Sequence, residues 1–328
     1  MILVIGLDGY PWAWEARLRD IGFCTAPLYS PHAQSAPAWN SLMSGLRAET
    51  HRYEGLPMAG VRDTGGRIRY IWDHLLASGK QTMAVGVPFI FPPMLLRLHA
   101  CGYPADSENY IYPKERAQAW PWRIIDLCNA YHGVGAREFH VLPDEELLAT
   151  ARASRHYLAH RLRCELERSD RPDLAIACWT DVDRLSHAAY ASMQKPEIRD
   201  GVVDELLGIA EKLVAIYAPD WTFVISDHGL DLEQDAPTME GDDFWRQTHG
   251  PDMPNTRYGI FAYQSAGTAQ AMADGTEVQV EDVVPTLLYL LDAPPVGRID
   301  GKALTEIIGD EAVDEVATRA RLEQLGYI

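Results

Sequence analysis

The chain has 328 residues, 47% apolar and 23% charged, and 47 acidic against 29 basic side chains give a formal net charge of −18 at pH 7. That composition excludes a disordered or fibrous chain, and no run of about 18 apolar residues is present to cross a bilayer. So acidic a chain repels polyphosphate backbones, which argues against a nucleic-acid polymer as ligand; a small phosphorylated substrate would need local positive charge, with metal ions as its source.

Residues 2–7 (ILVIGL) are uniformly apolar and closed by Asp8-Gly9, the pattern of a buried strand. The start lacks a basic stretch and meets Asp8 too soon for a secretory signal, so none is expected. Helical spacing follows at 36–44 and 68–77, then a second apolar run at 81–87 (QTMAVGV). Residues 88–143 are rich in Pro, Tyr and Trp and weakly periodic, and are expected to form an irregular cap over the sheet. Within them Phe89, Phe91, Tyr103, Tyr110 and Trp120 either pack in the core, stack on a base or line a pocket for an apolar leaving group. Then come a helix at 144–168, strands at 174–179 and 221–226 separated by a helix at 202–216, a strand at 258–263 and a helix at 280–291. Buried strands alternating with helices predict a single α/β domain over 1–328, with a mainly parallel central sheet and helices on both faces.

Five cysteines, an odd number with no C-x-x-C pair, read as reduced thiols in a cytoplasmic protein. Oligomeric state is not legible. Arg155, Arg161 and Arg163 crowd the pair His156 and His160, which is therefore read as helix surface. The acidic stretch 231–243 reads as a solvated loop, with a lid or a third metal site as the alternative.

In open α/β sheets ligands bind beyond the carboxyl ends of the strands. Three strand ends here carry acids: Asp8-Gly9, Thr180-Asp181-Val182-Asp183 and Asp227-His228-Gly229. Asp183 and His187 are four apart, so a helix after the strand would bring both to one metal. Asp227 and His228 converge on an ion only if the backbone turns at Gly229, and His249, in a loop, could complete a second ion. Oxygen and imidazole donors together suit zinc, with manganese as a substitute. Ser35, ahead of Pro37, marks a helix start and on its own reads as an N-cap. Beside a metal it becomes a candidate nucleophile, because coordination can ionise a hydroxyl.

The runs ILVIGLDG, SAPAWNSLMSGL with His51 following, TDVDRLSH and VISDHGL, with PFIFPP, YIYP, YGIFAY and VEDVVPTLLYLLDAP in order, resemble the alkaline phosphatase superfamily. They look most like its type I phosphodiesterase/nucleotide pyrophosphatase branch. The resemblance implies an alkaline-phosphatase-like fold and a two-metal site. Ser35 would be the nucleophile, forming a covalent phospho-serine. Asp8, Asp227 and His228 would hold the ion that activates it, and Asp183, His187 and His249 the second. Three carboxylates and a serine alkoxide balance two dications, so such a pocket accepts an anionic substrate. His51-Arg52 replaces the usual His-Gly, and the asparagine of nucleotide pyrophosphatases is missing after it. Trp39 stands where sulfatases carry arginine. Arg52, Trp39 and His51 are the candidates for substrate contact. A phosphomonoesterase or phosphomutase using the same serine is the alternative activity, and a catalytically silent binding protein the alternative of another class.

Overall fold

The run Ile2–Leu7 forms strand β1, and all six of its residues are buried, as a strand covered on both faces requires. The computed structural model describes residues 1–53, 68–90, 93–102, 105, 108–120, 143–168, 170–232, 254–267, 269–308 and 323–324. Beside β1 lie β6 (Leu174–Trp179) and β7 (Trp221–Ile225), both parallel to it, with Ile2 opposite Leu174 and Trp221. Next to β6 come β3 (Thr82–Val85) and β4 (Leu98–Ala100), also parallel, then β5 (Ile111–Tyr112) running back along β4. Beyond β7, strand β8 (Tyr258–Ser265) is antiparallel, followed by β2 (Cys24–Tyr29) and β9 (Val278–Gln279). The result is a nine-stranded mixed sheet, parallel at its centre, in the order β5-β4-β3-β6-β1-β7-β8-β2-β9.

Period-two alternation divides the core. Leu3, Ile5, Leu7, Ala175, Ala177 and Trp179 face one layer, while Ile2, Val4, Leu174, Ile176 and Cys178 face the other. The first layer is covered by α5 (Asp144–Leu166), α6 (Asp181–Ala188) and α8 (Pro196–Tyr217), through Leu158, Leu162, Leu185 and Leu206. The second is covered by α2 (Ser35–Ser44), α4 (Ile71–Ala77) and α9 (Val283–Leu290), through Trp39, Leu42, Trp72, Leu75 and Leu287. Short helices α1 (Glu15–Asp20), α3 (Ala48–His51) and α7 (Tyr190–Met193) fill the connections. No described helix is long and apolar enough to cross a membrane.

Several elements differ from expectation. Strand β2 contains Pro27, which carries no N–H for a ladder; it is tolerated because β9 pairs with β2 only at Leu28 and Tyr29, leaving Pro27 with β8 alone. The helix expected at 202–216 begins at Pro196, whose ring suits the first helical turn. Within 88–143, β4 and β5 lengthen the sheet edge, and residues 121–142 lie outside the described residues. Phe89, Tyr110 and Trp120 are buried, whereas Phe91 and Tyr103 lie outside the described residues. Cys24, Cys101, Cys164 and Cys178 are free thiols. His156 and His160 are exposed on α5, as read from sequence, but Arg155 beside them is 2% exposed.

At Gly6 the sheet admits no side chain. A Cβ there would sit 2.4 Å from Cys178 Sγ and 2.6 Å from the Trp39 ring, so α2 rests directly on β1. That contact fixes how far the start of α2 stands from the end of β1.

Candidate active site

Four chain segments meet at the carboxyl rim: the end of β1, the start of α2, the start of α6 and the corner after β7. Asp8 N–H donates to Trp179 O at 3.0 Å, holding the end of β1 against β6. Gly9 then turns with φ +75°, a conformation that costs a side-chain-bearing residue and that glycine adopts freely. A Cβ at Gly9 would come within 2.9 Å of Asp183 Cβ, so the loop after β1 and helix α6 touch through backbone. Two hydrogen bonds lock this approach: Asp183 N–H to Asp8 O at 3.2 Å and Gly9 N–H to Asp227 Oδ1 at 3.2 Å. The corner after β7 is held by Ser226 Oγ–H donating to His228 O at 2.7 Å and Gly229 N–H donating to Thr256 O at 2.9 Å.

Ser35 is not the N-cap that its position suggested. Gln34 occupies the cap and makes no capping bond through its side chain, while Ser35 is the first helical residue. Its hydroxyl is turned to the rim, 3.1 Å from His228 Nε2 and 3.3 Å from Asp8 Oδ1. Ser35 stands at the N-terminal end of α2, where the helix dipole favours negative charge.

His228 Nδ1 donates to Gly229 O at 3.0 Å, which leaves Nε2 as an acceptor beside the Ser35 hydroxyl. That nitrogen lies 3.2 Å from Asp227 Oδ2, 3.6 Å from Asp8 Oδ1 and 4.0 Å from Asp183 Oδ1. Asp227 Oδ2 is buried and accepts no hydrogen bond from the described residues. Burial and the neighbouring carboxylates hold the Asp8 carboxyl well above the ordinary range, and burial with Asp183 raises that of Asp227 to about 7. Facing lone pairs and crowded carboxylates repel one another unless positive charge lies between them. One ligand atom from each of Asp8, Asp227 and His228 falls within 4.8 Å of the others, so the three can hold a metal ion. Asp183 and His187 share one side of α6, with His187 Nε2 at 3.2 Å from Asp183 Oδ1, as the four-residue spacing predicts.

The sequence-derived set therefore converges for Asp8, Ser35, Asp183, His187, Asp227 and His228. His249 and residues 233–243 of the acidic stretch lie outside the described residues. Two of the three substrate-contact candidates, Trp39 and His51, are buried. Trp39 is fully buried against Gly6. His51 is buried under α2, its Nε2 at 2.9 Å from Ser41 Oγ and its Nδ1 accepting from Tyr53 N–H at 3.0 Å. Arg52 is exposed at the end of α3 with φ 60°.

Sequence reasoning passed over Arg155. It occupies the apolar stripe of α5 between Ala151 and Leu158, a position that signals burial. Its Nε donates to Asp181 Oδ1 at 3.0 Å and its Nη1 to Glu205 Oε2 at 2.8 Å, tying the first residue of α6 to α5 and α8.

Two buried histidines away from the ligands make a testable contribution to acid stability. Burial lowers both His51 and His74 from 6.5 to about 4. Each is neutral when folded, since Nδ1 accepts a backbone hydrogen bond, from Val296 N–H at 2.8 Å in the case of His74. Below pH 6.5 the unfolded chain takes up protons that the folded chain refuses, so stability falls as pH drops toward 4. At pH 5 the loss is roughly 1–2 kcal/mol per histidine. Denaturant unfolding of wild type and His74→Leu at pH 7, 6 and 5 checks this, the variant showing the shallower loss.

No protein-family profile matches the chain, and no curated protein sequence does. Solved structures do. A sulfatase from the glycosaminoglycan metabolism of Bacteroides thetaiotaomicron gives a TM-score of 0.56 at 13% identity, covering 95% of this chain and 77% of that one. Human ectonucleotide pyrophosphatase/phosphodiesterase 5 gives 0.54 at 12% identity, covering 94% and 99%. The phosphonate monoester hydrolase of Silicibacter pomeroyi gives 0.55 at 13%, covering 96% and 77%. All three are alkaline phosphatase superfamily members, and the chain has their α/β fold.

Proposed function

We propose that this chain is a metal-dependent hydrolase of small phosphoric diesters, with Ser35 as its nucleophile. The observation that carries the reading is the Ser35 hydroxyl, unspent on capping, 3.1 Å from His228 Nε2 and 3.3 Å from Asp8 Oδ1 within a buried three-ligand group. Asp8, Asp227 and His228 would hold one divalent ion; Asp183 and His187, with His249 from the sequence, would hold a second. Mixed oxygen and imidazole donors suit zinc, with manganese as substitute. Free thiols fit a reducing compartment such as the cytoplasm.

Bound divalent ions would lower the pKa of the hydroxyl and screen the charge of the phosphate. The chain's own residues supply the geometry. Helix α2, seated on Gly6, directs its positive end and the Ser35 Oγ at the incoming phosphorus. Asp8 Oδ1 and His228 Nε2 hold the Ser35 hydroxyl at the rim; with those atoms committed to an ion, the hydroxyl proton would pass to solvent and leave Oγ free to attack. Oγ attacks phosphorus as the ester oxygen departs in line and takes up a proton from water. Water then cleaves the phospho-serine, restoring the hydroxyl and releasing a phosphomonoester.

Initial rates on bis(4-nitrophenyl) phosphate and on 4-nitrophenyl phosphate, with and without chelator, test the reading. The diester is expected to turn over faster, and both rates to vanish with chelator and return with zinc. A faster monoester would select the phosphomonoesterase or mutase alternative, and a chelator-insensitive rate would end the metal-dependent reading.

A further inference from the structure

A cavity of about 50 Å³ lies beyond the carboxyl ends of β3, β4 and β6, walled by Trp120, Trp179 and Leu158. It neighbours the candidate active site along the carboxyl rim of the sheet. Thr180, Asp181 and Arg184 line it, and they belong to the same turn and helix that deliver Asp183. In the sheet only β6 separates β3 from β1, so cavity and Ser35 rim stand about two strand spacings, or about 10 Å, apart.

Its polar wall is built rather than accidental. Arg155 lines the cavity and is 2% exposed. Nε donates to Asp181 at 3.0 Å, and Nη1 to Glu205 at 2.8 Å and Val202 O at 3.5 Å, which fixes the guanidinium in place. Nη2 donates to no described residue, so its two N–H groups are available where the side chain borders the cavity. Glu205 is shared with Arg152 at 2.8 Å, and Arg184 lies in the same wall. Arg152 and Arg155 balance Asp181 and Glu205, and the pre-oriented Nη2 of Arg155 is the donor left for an anion. Aromatic and aliphatic walls with one pre-oriented cationic donor suit a compact anion on an apolar stem.

We infer that this cavity receives a carboxylate carried by the organic half of the phosphoric ester. The inference rests on the proposed hydrolase reading for the word ester, and on Arg155 and the cavity for the carboxylate. It sets the substrate's dimensions: phosphorus at Ser35 and a carboxylate about 10 Å away along the rim.

The test uses the zinc-loaded full chain with methyl 4-(2-carboxyethyl)phenyl phosphate, whose carboxylate lies about 9–10 Å from phosphorus, and its carboxamide counterpart. Wild type is expected to favour the carboxylate by about tenfold in kcat/KM, mainly through KM. Ala151→Leu, which fills the cavity, and Arg155→Lys, which shortens the donor but keeps the charge, are each expected to bring the ratio toward one. In parallel, benzoate titrated into metal-free protein is expected to change tryptophan fluorescence, and benzamide is not. A wild-type ratio of one, with no response to benzoate, overturns the inference while leaving the hydrolase reading intact. A benzoate response that Ala151→Leu abolishes, in a protein hydrolysing neither ester, supports the cavity assignment and counts against the hydrolase reading instead.

Discussion

Ser35→Ala is expected to lower kcat/KM on a phosphoric diester by about 10⁴-fold or more, the scale seen when a nucleophile is removed from an intact binding site. The size follows from what the hydroxyl does. It makes no capping bond, and its contacts within hydrogen-bond reach are Asp8 Oδ1 and His228 Nε2. Removing it therefore costs little stability, and the start of α2 stays seated on β1 through Trp39 and Gly6. Metal content, measured by native mass spectrometry, is expected to match wild type. A Ser35→Ala protein that keeps a tenth of the wild-type rate would remove Ser35 from the chemistry and leave it a first-turn residue of α2.

Asp227→Asn separates metal binding from stability, because the two should move in opposite directions. In the metal-free chain Asp8, Asp183 and Asp227 crowd one buried corner, and Asp227 is pushed up to about 7. Asparagine keeps an oxygen to accept from Gly9 N–H, at 3.2 Å in the wild type, and removes the charge. Metal-free Asp227→Asn is therefore expected to be more stable than wild type at pH 7, by on the order of 1–3 kcal/mol. Zinc should reverse the order, since the variant loses a ligand and at least about 100-fold in affinity. Thermal melts of both proteins, each with chelator and with zinc, read all four values. A variant less stable than wild type in chelator would show that the corner is not electrostatically strained.

Much of this was legible in the sequence, for identifiable reasons. The central strands β1, β6 and β7 are short continuous apolar runs that end in Asp-bearing turns, so both the strands and the rim they share were visible. Helix α6 followed from the Asp183–His187 spacing. What escaped depended on tertiary context. Strand β2 carries Pro27, a local signal against a strand, and forms because β8 offers it a partner edge. Strands β4, β5 and β9 are two or three residues long, too short for any period to register. Ser35 read as a cap because Ser before Pro usually is one; only the close seating of α2 on Gly6 turns its hydroxyl to the rim. Trp39 and His51 sit near the nucleophile in sequence, yet the helical turn carries them into the core. Arg155 was taken as one of several surface charges, although its place in the apolar stripe of α5 already argued for burial.

The central claim is that side chains from β1, α6 and the β7 corner bind divalent cations beside one serine hydroxyl. Native mass spectrometry of the chelator-stripped chain after re-exposure to zinc tests it most directly. The account predicts two zinc ions per folded chain, falling on substitution of Asp8, Asp227 or His228 while circular dichroism stays unchanged. A folded chain that takes up no zinc, or that retains both ions when His228 is replaced by alanine, would contradict it.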